Sequence, residues 1–192
     1  GWELTRVGQV AAGLTQMREG LASFRLAMGA EILRPNLLAL LADACGCSGQ
    51  LEDGLGALEE ALVTAEQHGE RFYEAELHRL KGELILQKCR EAGAKPVPGE
   101  LRPDPTASRE TTSRAPLQGE AEACFQNALA IARRQGAKLL ELRAALSLSR
   151  LWQQQGQRTA ARQLLEEVYG WFTEGFETAD LQEAQTLLED LA

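Results

Sequence analysis

Three sets of side chains carry types that support chemistry: Cys45 with Cys47, His68 with His78, and Glu74, Glu76 and Glu83. A Cys-x-Cys pair offers two thiolates to a metal ion. Residues two apart on a helix point in different directions, and no second close pair of Cys or His completes a set of four ligands. The pair reads as one core cysteine and one surface cysteine. His68 and His78 lie ten residues apart with no Ser and Asp partners for a nucleophilic triad. His68 sits near the end of a helix, where the dipole favours a cation, and His78 falls on a packing side. Glu76 and Glu83 are two turns apart on one helix face, and an unassisted carboxylate pair there is solvated rather than poised for acid–base work. A phosphate-cradling Gly loop, a His-Glu-x-x-His and a Gly-x-Ser-x-Gly are all missing from the sequence. The expectation is a non-enzyme with no catalytic residues, no metal and no cofactor.

Composition narrows the class. The 192 residues are 44% hydrophobic and 25% charged, ordinary for a globular chain large enough to bury one core. Only 5% are aromatic, and the dominance of Ala and Leu favours helices over sheets. The net charge is −8. Beyond Arg133-Arg134 the cations are scattered, so a nucleic-acid partner is not expected. No apolar run reaches the ~18 residues of a membrane span, and no signal peptide is evident. Cys45, Cys47, Cys89 and Cys124 form no disulfide framework, which points to reduced thiols and a cytoplasmic setting.

The elements that position these groups follow one pattern. Ala161, Leu164, Leu165, Val168, Tyr169 and Phe172 are separated by gaps of three and four, one stripe of an α-helix. The same gaps recur at Gly54, Ala57, Leu58, Ala61, Leu62 and Ala65, and at Ala121, Cys124, Phe125, Ala128, Leu129 and Ala132. A fourth copy, Gly13, Gln16, Met17, Gly20, Leu21 and Phe24, has one polar member. Gly13 and Gly54 are 41 apart, and Ala121 and Ala161 are 40 apart. Gly54 and Ala121 are 67 apart, one period plus about 27 extra residues. A period near 40 with two helices per unit describes stacked helical hairpins, each leaving an apolar face that only a neighbour covers. Gly29, Gly69 and Gly136 precede the first helices, and Gly49, Cys89 and Gly156 follow each twenty residues later. Ala42, Gly82 and Ser149 recur within those helices as small residues that let two backbones approach.

Along the chain, the spacing predicts helices over about 10–28, 35–47, 51–68, 71–88, 118–135, 139–154, 159–173 and 179–190. Residues 2–7 read as the last turns of a helix whose start lies upstream, so the chain is expected to begin inside a repeat. Gly13 and Gly20 are placed where close helix packing would offset their poor helix propensity. Residues 90–116 hold five of the six prolines and almost no bulky apolar residue, and are expected to be a disordered insertion loop. Within it, Ser108, Thr111, Thr112 and Ser113 lie among Arg109 and Arg114, which would suit a phosphorylation or docking tail, but a neutral length variation in a surface loop is the favoured reading. Residues 178–191 read as a capping helix, with Leu181, Ala184, Leu188 and Leu191 on one side and Gln182, Glu183, Gln185 and Glu189 on the other. The whole of 1–192 is expected to be one domain.

Leu41-Ala42 with Cys45, Gly82 with Ile85, and Leu148-Ser149 with Trp152 resemble the first-helix pattern of tetratricopeptide repeats. Gly54/Ala61, Ala121/Ala128 and Ala161/Val168 resemble the small-residue pair of the second helix. The unit exceeds the usual 34 residues and lacks the closing Pro. The phrases YEAELHRLKGELIL, AEACFQNALAIARRQGAKLLELRAALSLSRLW and YGWFTEGFETADLQEAQTLL are similar to the carboxyl-terminal repeats of bacterial adenylate or guanylate cyclase-type ATPase regulators. That resemblance implies an all-α fold: a right-handed superhelix of helical hairpins, or α–α solenoid, with the first helices lining a concave face. Carrying the groove-facing positions over gives Asn36, Asp43, Glu76, Arg79, Glu83, Gln87, Arg143, Arg150 and Gln153. Lys81 departs from the family's apolar residue, and Leu86 and Leu146 are expected to make the groove partly apolar. The implied function is binding of a peptide, a protein partner or upstream domains of the same chain, as a regulatory segment of a signalling protein. The alternative is a small-ligand sensor arm controlling an upstream ATPase or cyclase.

Overall fold

The computed structural model describes residues 1–6, 8–27, 33–69, 71–94 and 109–192. Nine helices occupy them: α1 Trp2–Arg6, α2 Val10–Ala27, α3 Arg34–Cys47, α4 Leu51–His68, α5 Glu74–Ala94, α6 Arg109–Gln135, α7 Lys138–Gln154, α8 Arg158–Tyr169 and α9 Ala179–Asp190. The described residues hold no strand, and none of their helices is long and apolar enough to cross a membrane.

Local chemistry sets these helices. α4 carries Glu52 and Asp53 in its first turn and His68 in its last, matching the sign of the helix dipole at each end. Gly69 closes it at φ 68°, where its amide bonds back onto the last turn and a side chain would be strained. Pro35 sits in the first turn of α3, where its missing N–H has no partner to lose. The apolar stripes then face inward. All six stripe positions of α6 are buried, as are Gly54, Ala57, Leu58, Ala61 and Ala65 of α4, and Ala161, Leu165 and Val168 of α8. The copy in α2 is only partial. Gly13 is buried, Met17 and Leu21 are half-buried, Gln16 and Gly20 are exposed, and Leu14, outside the stripe, is the residue most deeply covered. Gly20 has open space around it, so close packing explains Gly13 alone. The side chain of Phe24 and the whole of Gly29 lie outside the described residues.

The helices pair as α1–α2, α3–α4, α5–α6 and α7–α8, and each pair touches the next. The odd-numbered helices also touch in series, α1 to α3, α3 to α5, α5 to α7 and α7 to α9. α9 therefore lies against α7 as α7 lies against α5. Equivalent small residues meet inside equivalent pairs. A Cβ on Gly54 would stand 3.2 Å from the Ala42 carbonyl oxygen, and Ser149 Oγ donates to the Ala161 carbonyl at 3.0 Å. Gly82 faces the ring of Phe125, which is fully buried. Burying a side chain of that size contributes about 2–3 kcal/mol. The two larger of three apolar clusters are joined by Leu55, which packs against both, and the third is a small one of Ala75, Ile131 and Ala132.

Helix occupies both ends of the stretch 90–116 expected to be a loop. α5 continues to Ala94 and α6 begins at Arg109, while residues 95–108 lie outside the described residues, as do the side chains of 109–114. Pro116, a reason to start the helix later, sits exposed inside α6, where the hydrogen bond it forfeits is on a wet face. α8 ends at Tyr169, four residues earlier than its spacing suggests, and Phe172 lies half-buried in the following turn.

Candidate functional site

On the odd-numbered helices, polar residues at helical spacing leave the core and line a common trough. α3 supplies Asn36 and Asp43, α5 supplies Glu76, Arg79, Glu83 and Gln87, and α7 supplies Arg143 and Arg150. Two cavities of about 200 and 440 Å³ hold these eight side chains and share Asp43, Arg79 and Leu80. Gln153, the ninth residue expected here, is half-buried and lines neither cavity. Leu86 and Leu146 are drawn into the larger apolar cluster instead of the trough, at 7% and 3% exposure. Lys81 turns away toward α4, with its Nζ 3.4 Å from Glu59.

The trough is laced by polar contacts from one odd helix to the next. Trp2 Nε1 donates to Asp43 Oδ2 at 3.3 Å, from α1 to α3. Gln87 Nε2 donates to the Gly46 carbonyl at 3.0 Å, from α5 to α3. Ser147 Oγ donates to Glu83 Oε1 at 2.6 Å, from α7 to α5. Arg143 grips Asp180 of α9 through Nε and Nη2, the shortest contact being 2.9 Å. Arg150 pairs with Glu183 of the same helix. Within α5, Arg79 donates through Nε and Nη2 to the two oxygens of Glu76 at 2.9 and 2.8 Å, and its Nη1 lies 3.6 Å from Glu83. Such forked pairs are the stronger kind of ion pair and fix geometry as well as charge.

Burial works against the charge of Arg79. The bonds Arg79 donates to Glu76 and the nearby charges of Glu76, Glu83 and Asp43 outweigh it and hold the guanidinium above its ordinary pKa. The bonds to Asp180 do the same for Arg143 against a smaller burial effect. Both are permanently cationic, with that charge already answered.

Trp2, Leu40 and Tyr73 line the smaller cavity, and Ser147, Asp180 and Glu183 bond to the polar side chains of the two cavities; none of the six was expected at this site. A signal existed for Glu183, which stands 40 residues after Arg143, on a helix that touches α7 as α7 touches α5. Trp2 and Tyr73 carry no such mark, since their rings reach the cavity from outside the expected stripe.

The other chemical residues lie elsewhere. Cys45, Cys89 and Cys124 are buried and Cys47 is exposed; burial pushes the thiols of Cys45 and Cys124 up. His78 is half-buried in a cleft between α4 and α5 with Glu66, Arg71 and Glu74, and burial pushes its pKa down. Glu74 stands in that cleft, apart from Glu76 and Glu83. No group of three or more His, Cys, Asp and Glu residues suited to a metal ion occurs among the described residues. No protein-family model matches the chain, and no curated protein matches it at significant similarity.

Proposed function

We propose that this chain is a non-catalytic protein-interaction domain that binds a peptide or a segment of a partner protein along the trough of its odd-numbered helices. The architecture we propose for it is a tetratricopeptide-like superhelix of hairpins with a period near 40 residues, serving as a regulatory segment of a larger signalling protein. One observation carries the reading: eight polar side chains from three helices, six of them long-armed, converge on two adjoining cavities that share Asp43, Arg79 and Leu80. Both cavities are open along the surface, which suits an extended chain laid across them better than an engulfed small ligand. Their polar atoms hold one another in place, so a partner would meet a preorganised surface and lose less entropy on binding.

Selection of peptides from a displayed random library, followed by NMR mapping of the winners, tests this. The expected result is amide shifts concentrated at Asp43, Gly46, Arg79, Glu83 and Gln87. Selected peptides that instead shift α2, α4, α6 and α8 would overturn it.

A further inference from the structure

The sign of the partner's charge is legible in the trough. Five carboxylates, Asp43, Glu76, Glu83, Asp180 and Glu183, meet three guanidinium groups, Arg79, Arg143 and Arg150. Every one of those arginines is already engaged: Arg79 by Glu76 and Glu83, Arg143 by Asp180, Arg150 by Glu183. An acidic ligand would have to break an internal pair to reach a cation. Asp43 is different, since it forms no ion pair among the described residues and accepts from the neutral indole of Trp2. It lies where the two cavities meet.

The smaller cavity adds a second feature. Trp2 and Tyr73 line it together with Asp43, Asn36 and Leu40, and with Arg79 and Arg143, whose charges are taken up by Glu76 and Asp180. Aromatic faces attract cations through their quadrupole, and a carboxylate beside them supplies the counter-charge. A Lys or Arg side chain entering this cavity would lay its aliphatic stem along Leu40 and the rings and bring its charged head to Asp43. The chain's net charge of −8 would steer a basic partner toward it from a distance.

The geometry points to a cationic peptide segment as the occupant of the trough, anchored by one Lys or Arg side chain in the cavity formed by Trp2, Tyr73 and Asp43. This deepens the groove-binding reading above and rests on it. The test takes the peptides that NMR maps to the trough and sorts them by charge. Basic sequences are expected to dominate, with affinity falling as salt rises. Asp43→Asn, which keeps an acceptor for the Trp2 indole, should weaken binding roughly tenfold, and Tyr73→Leu should weaken it about threefold. Each variant is compared with the parent by thermal melting, and an Asn variant that melts normally yet binds equally well would overturn the anchor. Trough-bound winners that are neutral or acidic would overturn the charge assignment while leaving the groove reading intact. Failure of any peptide to map to the trough would sink both.

Discussion

Replacing Gly82 by Ala tests whether α5 and α6 approach as closely as their side chains require. Ala is favoured over Gly inside a helix by about 0.5–1 kcal/mol, so an unobstructed substitution should stabilise the chain. Gly56 of α4 provides that reference, because a Cβ there meets nothing within 4 Å. At Gly82 a Cβ would stand 2.5, 2.8 and 2.9 Å from Cε1, Cδ1 and Cζ of Phe125. Phe125 is fully buried in the larger cluster, so its ring cannot withdraw without displacing neighbours. Overpacking of this kind costs about 1–3 kcal/mol. After the propensity gain, Gly82→Ala should be destabilising by about 1 kcal/mol, and the two variants should differ by about 2 kcal/mol. Urea unfolding followed by far-ultraviolet circular dichroism, at equal slopes, measures both. Adding Phe125→Leu should free the space and make the Gly82 substitution less harmful, a coupling of about 1 kcal/mol between touching residues. Equal stabilisation by Gly82→Ala and Gly56→Ala, or strict additivity with Phe125→Leu, would refute the close approach and the pairing built on it.

Phe125→Ala should cost about 3–5 kcal/mol by emptying a fully covered site, measured by the same unfolding experiment. Ser149→Ala should cost about 1 kcal/mol through the bond lost to the Ala161 carbonyl, whereas Ser149→Leu should cost about 1–3 kcal/mol by forcing α7 and α8 apart. Glu141 is 2% exposed, and burial alone would raise its pKa. The bonds from Lys138 and Arg133 outweigh burial and hold the carboxyl below its ordinary value of 4.5. Its folded pKa is thus below its unfolded one, so its contribution is complete above the unfolded value and fades as pH falls through the folded one. Glu141→Gln should lower the neutral-pH melting temperature and flatten its decline below about pH 4.5; an unchanged acid limb in thermal melts would count against the buried pair.

How much of this was readable beforehand depends on the range of the forces involved. The stripes at Ala121–Ala132 and Ala161–Val168 were legible because helical period is local, and an apolar residue every three or four positions has one inexpensive solution. The turn glycines were legible for a similar reason, since Gly49 and Gly156 adopt φ of 73° and 81°, a region that strains other residues. So was the close approach of helix backbones at Ala42 and Ser149, because small residues repeated at one register mark it; the structure supplied their partners, Gly54 and Ala161.

The sequence alone thus determined helical class and most helix positions, while the row of trough residues came from the resemblance, and eight of its nine members line the two cavities. Tertiary structure decided what each polar member of that row does. Arg143 and Arg150 are answered by Asp180 and Glu183 from α9, Glu83 by Ser147 from α7, and Leu86 and Leu146 vanish into the core. Two faces of a helix with similar polarity look alike until a neighbour covers one of them. Which carboxylate stays outside an ion pair among the described residues is a property of the assembled helices, not of any one of them.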